Sequence, residues 1–209
     1  MTNYDQIVYD TSIQQGFKPE IAKYIVAQAR LESSDYGSNV FKCNNNMYGT
    51  KFANQPLASK GTLAPQNEIS STCMPSGSGC QRTGIGSCRS IDFYARYSSP
   101  NDGIKDTIER YYKKTISGVS FDDLNNSTDI IDFAKKLKQR RYFGLNDINT
   151  PQGQAEAISY ATLLKAKLIK IQVVDFYNQN KNAVNIVLVS VLGIALISYL
   201  FYVKKKVIN

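Results

Sequence analysis

Glu32 is the residue whose neighbours best suit it to acid chemistry. It falls near the end of a stretch, residues 19–35, in which Ile21, Tyr24, Ile25 and Leu31 recur at helical spacing, interrupted by Gln28. A carboxyl at a helix end beside an apolar stripe is partly shielded from water, and shielding favours the neutral acid. Such an acid can hand a proton to a leaving oxygen. Composition narrows the chemistry further. The 209 residues include no histidine, which excludes Ser-His-Asp hydrolases, Cys-His peptidases and histidine-ligated zinc hydrolases. Catalysis must then draw on carboxylates, hydroxyls, amines or thiols. Neither a metal nor an organic cofactor is implied.

The elements that would position Glu32 follow from periodicity and punctuation. Helices are expected over residues 3–15 and 19–35, the second opening with Lys18-Pro19-Glu20, where proline suits the first turn and glutamate the helix dipole. Gly37 is available to stop it. In residues 38–92 asparagine, serine, glycine and proline replace helical periodicity, so this region reads as a loop-rich β lobe with at most a small hairpin-like sheet. Helices resume after Tyr97. Ser99-Pro100-Asn101-Asp102 is a start signal before Ile104, Ile108 and Tyr111, and Ser127 or Thr128 can cap a helix through Lys138. Thr150-Pro151 opens a last helix carrying Ala157, Ile158, Ala161, Leu164, Leu168 and Ile171. The hydrophobic content of 43% supports one core of ordinary size. The fold class expected is α+β, mainly helical, over residues 1–180.

The formal charge of +8 favours polyanionic surfaces. Cell wall and membrane rank above nucleic acid, which is not an expected partner because no zinc-finger, RNP or basic-region signature is present. Arg140 and Arg141, in the basic group from Lys135 to Arg141, read as a solvated helix end, with attraction of wall anions the alternative. The four cysteines are Cys43, Cys73, Cys80 and Cys88, and the last three are separated by six and seven residues rather than paired as CxxC. That spacing favours one or two disulfides over a four-thiolate zinc site, with free thiols the plainer alternative. Disulfides would imply exposure to an oxidising compartment.

Residues 184–203, VNIVLVSVLGIALISYLFYV, carry no charge and precede a basic tail, 204–209, with Lys204, Lys205 and Lys206. About 20 apolar residues at 1.5 Å rise cover a ~30 Å hydrocarbon core, so a single transmembrane helix is expected here. The lysines would put the preceding domain outward, yet the first residues show no basic and apolar signal segment. A virion protein held in the membrane of a bacteriophage reconciles the two. The expected partners are then a lipid bilayer and other virion proteins, and the location is the virion membrane, acting at the bacterial wall.

Four segments taken together resemble a known family. AQARLESSDYGS at Ala27 to Ser38 is followed by NNMYGTK at Asn45 to Lys51, then by FYARYSSPNDGIKD at Phe93 to Asp106, then by Tyr142-Phe143 before Tyr160-Ala161. In order and spacing they are similar to the glucosaminidase family of peptidoglycan hydrolases, within the lysozyme-like superfamily, over residues 10–175. The resemblance implies a lysozyme-like domain that cleaves peptidoglycan glycan strands as an endo-β-N-acetylglucosaminidase, with Glu32 as general acid. It also implies a cleft lined by Asn45, Asn46, Met47, Tyr48, Gly49 and Tyr142, with the amides on sugar hydroxyls and Tyr48 stacked on a pyranose face. The family's second acidic residue belongs on the β lobe, where the cysteine segment intervenes, and Glu68 is chosen there over Asp92. Substrate assistance by an N-acetyl group would need no second carboxylate. Alternatives are a lytic transglycosylase or muramidase on the same substrate, or a non-catalytic wall-binding or structural virion membrane protein.

Overall fold

The structure, a computed structural model, describes residues 2–64, 81–82, 88–89 and 92–179. The chain divides into two compact units, residues 1–169 and 170–209. Helix α1 (Asn3–Gln14) opens with a capping box: Asp5 N donates to Thr2 Oγ1 at 3.2 Å, and Thr2 N donates to Asp5 Oδ2 at 2.6 Å. Helix α2 (Pro19–Glu32) begins on its proline, whose missing N–H costs nothing in the first turn. Its sequence shows one apolar face, but Ile21, Ala22 and every residue from Tyr24 to Arg30 are buried. The helix is therefore enclosed on most sides. Tyr24 packs on Phe133, with ring centres 5.6 Å apart, and Arg30 reaches Asp5 of α1.

Helix α3 (Asn39–Asn44), capped by Ser38, leads to strand β1 (Ala58–Ala64). Strands β2 (Gln81–Arg82) and β3 (Cys88–Arg89) form a short antiparallel ladder of their own, and β1 pairs antiparallel with β4 (Asp92–Tyr97). The β1–β4 register runs from Ala58 opposite Tyr97 to Ala64 opposite Asp92, with an irregularity between Lys60 and Leu63. Gly61 sits in it, where a Cβ would collide with the Asn44 side chain and the Tyr94 carbonyl. That close approach lets Asn44 bond Thr62 through both its amide atoms.

Helix α4 (Pro100–Thr107) starts on Ser99 and runs into a π-helical turn, Ile108–Tyr112. Helices α5 (Phe121–Asn125), α6 (Ile130–Gln139) and α7 (Pro151–Gln179) complete the described chain, and α6 is capped by Asp129 rather than by Ser127 or Thr128. Ile25, Ile104, Ile108, Tyr112, Phe133, Leu137 and Leu164 are wholly buried and form the core.

Among the described residues no helix is long and apolar enough to cross a membrane. Helix α7, with 29 residues, has the length, but Glu156, Lys165, Lys167 and Lys170 interrupt its apolar runs. Residues 184–203, on which the anchor was expected, lie outside the described residues. The expected transmembrane helix, the bilayer and virion-protein partners and the virion-membrane location are corrected accordingly. The fold class is α+β, mostly helical, with small antiparallel sheets. Of the disulfides expected, none is complete among the described residues. Cys43 is disulfide-bonded, but the side chains of Cys73, Cys80 and Cys88 lie outside the described ones.

Candidate active site

The site begins with the way α2 stops. Ser33 caps the helix, and Ser34, Asp35 and Tyr36 follow with φ of 53°, 56° and 66°. Three consecutive left-handed residues, none of them glycine, cost roughly 1–2 kcal/mol each, so neighbours must hold them. Tyr36 N donates to Ser33 Oγ at 2.9 Å, Tyr36 Oη donates to Asp5 Oδ1 at 2.8 Å, and Lys167 Nζ donates to Asp35 Oδ2 at 2.9 Å. The helix thus ends at Ser33, four residues before Gly37, and Glu32 is left on its last turn with a fixed direction.

Glu32 faces an open cleft of about 380 Å³ lined also by Tyr48, Gly49, Lys51, Tyr111 and Tyr142. Its side chain is reachable from solvent, as a reacting group must be, yet the cleft wall crowds the carboxyl with protein atoms. That crowding, a desolvation, raises its pKa above the usual carboxylate value, and one hydrogen bond from Tyr160 Oη to Oε1, at 2.7 Å, takes part of the rise back. The Tyr160 ring stacks on Phe143, with centres 4.0 Å apart and planes 18° off parallel. Burial first, and the charge of Glu32 second, push the hydroxyls of Tyr48, Tyr142 and Tyr160 up, so all three stay neutral beside it. No cation pairs with Glu32 among the described residues. One turn back on α2, the wholly buried Gln28 accepts from Tyr112 Oη, while its own Nε2 has no partner among the described residues.

Of the residues expected in the cleft, Glu32, Tyr48, Gly49 and Tyr142 come together there. Asn45 and Asn46 do not. Asn45 Nδ2 donates to the Tyr97 carbonyl at 3.0 Å; Asn46 Nδ2 donates to the carbonyls of Thr50 and Ala95, and its Oδ1 accepts from Thr50 N. These amides fasten the loop to β4. Met47 is a core residue. Glu68 lies outside the described residues; Asp92 opens β4, and its side chain lies outside the described ones. Among the described residues lining the cleft, Glu32 is the sole carboxylate.

Sequence reasoning missed Tyr111, Ile116 and Phe143 as lining residues and Tyr160 as the partner of Glu32. Tyr111 and Tyr112 are adjacent, and the π-turn lets one line the cleft while the other fills the core. Ile116 is presented by a tight turn in which Ile116 and Val119 exchange both backbone bonds across Ser117 and Gly118, at φ 51° and 76°. The Ser-Gly pair was a signal that could have found it. Arg140 overturns the reading of a solvated helix end: it is 4% exposed, and it donates to the carbonyls of Tyr111, Lys114 and Val119. It ties the end of the π-turn and this tight turn to α6.

A carboxyl with a raised pKa in an open cleft among aromatic rings, on a mainly helical α+β scaffold, fits an enzyme of the glycoside-hydrolase type. Residues 11–172 match the glucosaminidase family model, described as mannosyl-glycoprotein endo-beta-N-acetylglucosaminidase, and the chain belongs to that family. It is a glycoside hydrolase acting on peptidoglycan-like substrates. No curated protein matches the sequence. Two solved structures are similar to it. One is a type VI secretion system effector–immunity complex from Pseudomonas protegens, 13% identical with a TM-score of 0.47, covering 80% of this chain and 90% of that one. The other is the catalytic domain of the autolysin Auto from Listeria monocytogenes, 19% identical with a TM-score of 0.41, covering 79% and 88%.

Proposed function

We propose that this protein is an endo-β-N-acetylglucosaminidase that hydrolyses the glycan strand of peptidoglycan with Glu32 as general acid. The observation that carries the reading is the Glu32 carboxyl, its pKa raised by crowding and its one hydrogen bond among the described residues coming from Tyr160. In the reaction Glu32 gives its proton to the glycosidic oxygen as the bond to the anomeric carbon breaks. The carboxylate so formed keeps the Tyr160 hydrogen bond, which is stronger to the anion than to the acid. The cationic sugar is stabilised by a second carboxylate, for which we assign Glu68 ahead of Asp92, until water adds to the anomeric carbon and gives up a proton that restores the acid form of Glu32. Tyr48 and Tyr142 supply apolar wall to the sugar ring.

The test is digestion of purified peptidoglycan by the full chain and by Glu32→Gln, with the new chain ends identified. Fragments ending in reducing N-acetylglucosamine, absent with the variant, are expected. Reducing N-acetylmuramic acid or 1,6-anhydro ends would refute the bond assignment, and no release by a folded wild-type protein would refute the activity.

A further inference from the structure

Helix α6 ends in a Schellman motif: Arg141 N donates to the Lys138 carbonyl at 2.9 Å, and Tyr142 N donates to the Leu137 carbonyl at 3.0 Å. The position after the cap, normally glycine, is occupied by Arg141 at φ 59°. An L side chain there is strained by about 1 kcal/mol relative to glycine. Unlike its neighbour Arg140, Arg141 is exposed, and its guanidinium has no hydrogen bond or ion pair among the described residues. It also stands between two cavities. One is the Glu32 cleft; the other, of about 580 Å³, is lined by Ser117, Gln139, Gly144, Asn146 and Asp147 together with Lys138.

The charges in the second cavity are unequally committed. Lys138 is paired with Glu156, and Asp147 Oδ1 accepts from Asn149 N and Nδ2 at 2.8 and 2.9 Å. Arg141 is the cation left over, a planar donor fork suited to a carboxylate, while Asp147, held by neutral donors, keeps its negative charge in the same cavity. Arg141 lines the Glu32 cleft as well, so a sugar bound there lies next to it. A substituent that leaves the sugar beside Arg141 would enter the second cavity.

We propose that the second cavity is a subsite for the peptide carried by the glycan, in which Arg141 binds a carboxylate of that peptide. The inference rests on peptidoglycan being the substrate, and it deepens that reading by making the enzyme selective for peptide-bearing strands.

The test compares wild type with Arg141→Gly on two soluble substrates: glycan strands with their stem peptides, and strands stripped by an amidase, which leaves only the lactyl carboxylate. Glycine suits the left-handed position, so the variant should melt no lower than wild type and any kinetic change is not misfolding. KM on peptide-bearing strands is expected to rise about tenfold or more, as for a lost charge-assisted hydrogen bond, with kcat kept. KM on stripped strands should rise clearly less, and Arg141→Lys should recover part of the loss. An unchanged KM on both substrates, with wild type active, overturns the subsite and leaves the function standing. An equal rise on both overturns the peptide assignment. Failure of wild type to cut either substrate overturns the underlying activity instead.

Discussion

Two carboxyls lie near the end of α2 and ionise in opposite directions. Asp5 is wholly buried, and burial alone would raise its pKa, yet Arg30, Thr2 N and Tyr36 together hold it below the ordinary 3.8. Arg30 grips it with two bonds, Nε to Oδ1 at 2.7 Å and Nη2 to Oδ2 at 2.6 Å. Glu32, two residues beyond Arg30, is crowded as well but has one neutral donor, and its pKa moves up from 4.5. The difference lies in the number and charge of the donors rather than in burial. Where the backbone must be held in a strained turn the carboxyl is fully compensated. At Glu32, the proposed acid, the carboxyl is left nearly uncompensated.

The contrast can be broken at each end. Glu32→Gln keeps the shape but has no proton to give, so the rate should fall by roughly 10²- to 10⁴-fold, measured as release of reducing ends. The same variant should be at least as stable as wild type at neutral pH. With a raised folded pKa, the stability from protonated Glu32 is present below 4.5 and is lost as pH rises through the folded value. Asp5→Asn leaves buried Arg30 with only the longer contact to Asp35, at 3.7 Å, and should cost roughly 3 kcal/mol in denaturant unfolding, whereas a surface-like loss under 1 kcal/mol would show that the pair does not secure the turn.

Two finer measurements sharpen the comparison. Tyr160→Phe removes the one bond that lowers the Glu32 pKa, so the alkaline limb of the activity profile should move to higher pH. Its rate should drop by about fivefold, as for a hydrogen bond worth ~1 kcal/mol; an alkaline limb that stays in place would argue against Glu32 as the titrating acid. The smallest effect concerns Asp5. Its folded pKa is lowered, so its stabilisation is complete above 3.8 and is lost as pH falls through the folded value. Thermal melts between neutral and acid pH should show that loss in wild type, and the slope should be shallower in Asp5→Asn.

The sequence by itself marked where α2, α4 and α7 begin and singled out Glu32 as the candidate acid. Pro19, Ser99-Pro100 and Thr150-Pro151 mark starts because proline and small hydroxyl side chains act on the backbone within one turn. The absence of histidine, with Glu32 beside an apolar stripe, left carboxyl chemistry as the leading candidate. Local pattern could not tell a one-sided helix from an enclosed one, so α2 was read with a single buried face. Nor could it tell a loop amide that faces a ligand from one that fastens its own backbone, as Asn45 and Asn46 do. The fates of Arg140 and Arg141 were invisible for the same reason: one left-handed residue turns adjacent, chemically identical side chains to different surroundings. The partnership of Tyr160 with Glu32, 128 positions apart, was also decided by the tertiary structure alone. Desolvation and hydrogen-bond partners belong to the packed surroundings of a group, and those surroundings are assembled from segments distant in the chain.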